Sequence, residues 1–161
     1  MSLYLICNGP MPTTAAQAVV TTGTAIKTLL QLKPFNIIRI IEWGISLDGS
    51  SAATPIKVEL LETDVAATVT ASADVDVTKL GPGVADQAVA SIAGLTLGTA
   101  ATGYTATAEG TITAVRMLDV QLIAPTNQYV KQFPLGREPV IQIGKFGRIR
   151  VTAGAAVNAY C

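Results

Sequence analysis

The chain has 161 residues, 11 basic and 11 acidic side chains, two cysteines and no histidine. That length favours one domain, 1–161, large enough to bury a real core. Without histidine there is no His-based triad and no His-ligated zinc or iron, and two distant cysteines make no structural zinc site, so no cofactor is implied.

Residues 1–9 predict a short first strand closed by Asn8-Gly9-Pro10. Residues 1–24 as a whole read as an extended N-terminal arm, with a strand at "AQAVV". "TAIKTLLQLKP" fits a strand or one helical face, and its Thr flanks and Pro34 favour the strand. Residues 36–48 form the clearest strand, with Ile37, Ile41, Trp43, Ile45 and Leu47 on one side, which makes Trp43 a core residue. "DGSSAATP" is a loop with strong turn chemistry. In "IKVELLET", Ile56, Val58 and Leu60 face one way and Lys57, Glu59 and Thr63 the other.

From 64 to 110 the composition shifts to Ala, Thr, Gly and Asp, and the segment reads as a long loop or excursion, either a set of long connections or a projection. "VAATVTA" and "VDVTKL" predict short strands, and "GVADQAVASIAGL" a helical turn. From 111 the β pattern returns. In "RMLDVQLIAP", Leu118, Val120 and Leu122 alternate with Met117, Asp119 and Gln121. "PTNQYV" turns into a short strand, "PLGREP" is a further turn, and "VIQIGKFGRIRVTA" places Ile149 and Val151 inward with Arg148 and Arg150 outward. "AVNAYC" is a last strand. Eight or more short strands between Gly/Pro turns predict an all-β, antiparallel, jelly-roll-like sandwich or barrel.

Half the residues are hydrophobic, 14% are charged and 5% aromatic. No run reaches the roughly 18–20 apolar residues of a membrane span, and "MSLYLIC" is too short for a signal peptide. Cys7 and Cys161 lie far apart in sequence, and spacing alone does not pair them. "LGPGVADQ" and "GKFG" both miss the phosphate-loop pattern.

Four carboxylates, Glu42, Asp48, Glu59 and Glu62, crowd residues 40–63. Period-2 alternation puts Glu42 and Glu59 on the wet face of a half-buried sheet rather than across a cleft, which argues against a hydrolase pair. Acids gather between Glu59 and Asp86. Bases gather late, at Lys131, Arg137, Lys145, Arg148 and Arg150. These five, with Tyr104 and Tyr129, are the candidate contacts with other subunits or a partner. The basic stretch has no aromatic series for base stacking and the net charge is zero, so nucleic acid is not an expected partner. A neutral, apolar chain is an expected homo-oligomer, because neighbours cover exposed apolar surface.

Three stretches carry a resemblance: "RIIEWGISLDGSSAATPIKVELLET", "LTLGTAATGYTATAEGTITAVRMLDVQLIAPTNQYVKQFPLGREP" and "GRIRVTAGAAVNAYC". Together they resemble small virion proteins of tailed bacteriophages, over most of 36–63 and 95–161; residues 64–94 do not share it. The resemblance implies a β-sandwich or barrel that decorates or cements a capsid, as an oligomer about a symmetry axis, located in the virion and without catalytic residues. A tail or tube subunit and a carbohydrate- or receptor-binding module are the alternatives.

Overall fold

The computed structural model describes residues 2–50, 54–81 and 90–161. It is all-β, with antiparallel pairing throughout the named strands. The first strands are β1 (Leu3–Ile6), β2 (Val20–Thr21), β3 (Ile26–Leu32), β4 (Ile38–Arg39), β5 (Glu42–Asp48) and β6 (Ile56–Thr63). Within the excursion come β7 (Thr68–Ala71), a 3₁₀ turn at Asp74–Asp76, β8 (Val77–Leu80) and β9 (Gly103–Ala108). The chain continues with β10 (Val115–Ile123), β11 (Gln128–Gln132), β12 (Val140–Ile141), β13 (Phe146–Thr152) and β14 (Asn158–Tyr160).

Two sheets form a sandwich. The larger runs β10-β6-β13-β3-β9-β7 and the smaller β11-β5-β14-β2; β1-β8 and β4-β12 are separate two-stranded pairs. No sheet among the described residues closes into a barrel. The chain switches sheets between β2 and β3, β5 and β6, β10 and β11, and β13 and β14, as a jelly-roll-like path requires.

The core lies between the sheets. Ile56, Val58 and Leu60 of β6 and Ile149 and Val151 of β13 meet Trp43, Ile45 and Leu47 of β5. These are the residues whose alternation predicted an inner face, and each large side chain stabilises the fold by about 1.5–3 kcal/mol relative to exposure. The long 36–48 strand is in fact two, because residues 40–41 leave the ladder between β4 and β5. The "AQAVV" strand reduces to its last residue, Val20, within β2.

The structure adds detail to three of these segments. The excursion does not project. Gln31 of β3 donates to Ala67 O and Ala101 O and accepts from Ala67 N, which fastens the excursion over the outer face of the large sheet. Its strands approach closely at Gly103, where any Cβ would collide with the Thr70 carbonyl oxygen. The N-terminal arm is not free. β1 pairs with β8, β2 pairs with β14, and Asn8 donates its side-chain amide to Ala159 O and exchanges hydrogen bonds with Cys161. Each of the two strands is paired on one side and stands at the edge of its sheet. Finally, most of the helical turn in "GVADQAVASIAGL" lies outside the described residues, and Ala90–Ala93 form plain turns.

Candidate functional site

β10 is an edge strand with a bulge between Met117 and Asp119. The bulge sets the phase of the residues that follow. Alternation holds, but the polar set is the inner one: Asp119 is buried and Ile123 joins the core, while Val120 and Leu122 face water. Asp119 then sits between the two sheets. Its Oδ2 accepts from Trp43 Nε1 at 3.2 Å and Tyr129 OH at 2.9 Å. Its Oδ1 accepts from Val120 N at 3.0 Å and Gln121 Nε2 at 3.2 Å, and lies 3.2 Å from Lys131 Nζ. The Trp43 and Tyr129 rings meet edge-on at 5.4 Å, and Lys131 rests on the Phe133 ring.

Burial alone would push the Asp119 carboxyl up. The hydrogen bonds from Tyr129, Lys131 and Gln121, with the Lys131 charge, reverse this and hold it below the usual carboxylate range. The Tyr129 hydroxyl is raised, first by burial and then by Asp119. Donors occupy all of the roughly four acceptor sites of the carboxylate. This arrangement clamps one sheet to the other. It leaves no lone pair for a metal and no free base.

A second cluster lies on the outer face of the large sheet. Arg148, expected outward in solvent, does point away from the core but is 1% exposed, because the excursion covers it. Its guanidinium donates to Glu109 Oε2 and Glu109 O, each at 3.1 Å, and to Val65 O. Glu109 also accepts from Thr28 N and Thr28 Oγ1. Burial lowers the Arg148 pKa and the Glu109 charge opposes that.

Beside it, Glu59 is 3% exposed rather than wet. It pairs with Arg150 at 2.9 Å and Lys57 at 3.0 Å. Burial would raise its pKa, and these two bases bring it below the ordinary value. Glu62 is likewise buried, held by Arg116 at 2.9 Å and by Gln142 N. Only Glu42 and Asp48 of the four carboxylates are on the surface as expected.

The seven candidate contacts therefore do not form one surface. Tyr129 and Lys131 meet on Asp119, while Arg148 and Arg150 are tied into ion pairs on β13. Tyr104 is half-buried on β9, its hydroxyl raised by burial and then by Asp76. Arg137 is exposed and Lys145 half-exposed. Cys7 and Cys161 are both free thiols, half-buried, and burial raises both.

Sequence reasoning also missed a surface groove. A groove of about 840 Å³ opens between the β1-β8 pair, the β4–β5 junction and the end of the core. Its walls include Leu3, Leu5, Ile37, Leu80, Ile92 and Val130, every one an exposed large apolar side chain. A second apolar stripe, Val115, Met117, Val120 and Leu122, runs along β10. The only sequence signal for this was a surplus of apolar residues over what two sheet interiors can hold.

These features define an antiparallel β-sandwich in which Asp119, Glu59 and Glu62 are buried against bases while large apolar side chains stay uncovered. Comparison with known proteins adds nothing: no family model, no curated protein and no solved structure matches this chain.

Proposed function

We propose that this chain is a non-enzymatic structural protein of a virion, one that decorates or cements a phage capsid through many modest subunit contacts. One observation carries the reading. The buried carboxylates Asp119, Glu59 and Glu62 are each tied to a base, while large apolar side chains stand in water on a chain of zero net charge. Asp119 and Glu59, which their neighbouring bases hold below the usual carboxylate range, are poor proton donors, and apolar stripes of this kind mark protein contact surfaces. The partners in this reading are other copies of the chain and a capsid or other virion protein, without nucleic acid or membrane.

The resemblance in sequence supplies the virion context. The free edge of β10, nine residues long, supplies a strand that a neighbour can extend. The test is co-sedimentation with expanded tailed-phage capsids that lack this protein. Saturable pelleting at a fixed ratio to capsid subunits is expected. Protein that stays in the supernatant rejects the capsid assignment. Fibres or tubes formed without capsids move it to the tail.

A further inference from the structure

The groove has a matching knob on the same chain. Residues 133–139 form a turn whose tip is Leu135, 96% exposed and the most exposed large apolar side chain described. Hydrogen bonds tie the turn together. Arg137 N donates to Pro134 O, and Gly136, at φ 84°, supplies the left-handed position the turn needs. Gly136 N donates to Glu138, which also pairs with Arg39 at 3.5 Å. Both feet of the turn are pinned to the groove wall: Phe133 N donates to Ile41 O, and Ile40 N to Pro139 O. A rigid turn loses little conformational freedom on docking.

We infer that the groove is filled by the Leu135 turn of a second copy of this chain. Three observations favour that occupant. The groove wall is apolar and the knob is a bare aliphatic side chain. Arg137 stands beside the knob, Glu42 stands on the groove wall, both are exposed, and neither side chain has a partner among the described residues. Their charges are complementary across the contact and unused within one subunit. Knob and groove are also neighbours through residues 39–41, so a two-fold axis beside this rim places each knob at the other copy's groove. Such an isologous contact closes on itself.

This inference stands on the groove and the turn and assumes nothing about a capsid. Solution mass tests it, whereas co-sedimentation tests the function proposed above. The experiment is light scattering over a concentration series with three preparations: Leu135→Asp alone, Ile37→Lys alone, and an equimolar mixture of the two. Both positions are exposed, so both variants keep the fold, which thermal melting checks. The wild-type chain is expected to self-associate, and each variant alone to raise the dissociation constant at least tenfold. In the mixture, one intact knob meets one intact groove. At the other contact the carboxylate introduced by Leu135→Asp faces the ammonium introduced by Ile37→Lys, so association returns. Glu42→Arg and Arg137→Glu should each weaken association, and the double variant restore it. A wild-type monomer at every concentration overturns the inference. So does association that survives Leu135→Asp, or a mixture that stays monomeric.

Discussion

On the outer face of the large sheet, Arg148, Gln31 and Glu59 are buried. Around the groove, Leu3, Leu5, Ile37, Leu80, Ile92 and Val130 are exposed. The two regions sort side chains in opposite senses to their polarity. What separates them is coverage. The excursion folds back over Gln31 and Arg148 and brings Ala67, Glu109 and Val65 as their partners, while Glu59 is paired by Lys57 and Arg150. No described segment covers the second. A buried charge is tolerable only when paired and hydrogen-bonded. An exposed apolar wall needs no partner to exist, but it rewards one that arrives.

The largest break in this contrast is at Glu109. Glu109→Ala leaves the Arg148 guanidinium buried without its carboxylate, and should cost about 3–5 kcal/mol in chemical denaturation. Replacing both partners, as Glu109→Leu with Arg148→Met, should recover most of that loss. If the double variant is no better than the single one, the pair is not what fastens the excursion.

Asp119→Ala comes next, at about 1–3 kcal/mol, because Trp43 Nε1 and Tyr129 OH lose their acceptor. Trp43 is the one tryptophan, so its emission reports the change directly.

The pH dependence follows from the same carboxylates. Asp119 and Glu59 are both lowered in the folded state. Their contribution is therefore complete above the ordinary carboxylate value of about 4 and is lost as pH falls through it toward the lower folded value. Melting temperature should drop over that acid range, and Asp119→Asn should flatten the drop. An equally steep drop in that variant would place the effect elsewhere.

The smallest effects belong to the uncovered surface. Leu122→Lys on β10 should change stability by no more than about 0.5 kcal/mol, while weakening assembly. A large loss of stability there would mean Leu122 is covered within its own subunit.

The strands were legible because their inner residues alternate. Ile56-Val58-Leu60, Trp43-Ile45-Leu47 and Ile149-Val151 declared the sandwich core. The charged sites were not, for two physical reasons. A bulge at Met117/Asp119 sets which half of an alternating strand turns inward, and no residue type there announces it. Alternation also gives a side chain's face but not what lies over that face. Arg148 and Glu59 were assigned the correct face and the wrong solvent: Arg148 is covered by residues 64–110, whose Ala/Thr/Gly composition hides its strands, and Glu59 is held between Lys57 and Arg150. The groove was illegible for the complementary reason, since it is made from β1, β8 and the β4–β5 junction, distant in sequence.

The order of the large sheet also bears on how the chain is made. β13 lies between β6 and β3 at the centre of the sheet, yet it follows β6 by roughly 80 residues. At ribosomal speeds of about 5–20 residues per second, that is on the order of ten seconds of synthesis. Throughout that interval β3, β5 and β6 exist without the strand that joins two of them, and their apolar faces are open to other nascent chains. Folding must wait for β13, so yield during expression should respond to translation rate and to chaperone supply more than to the stability of the finished fold.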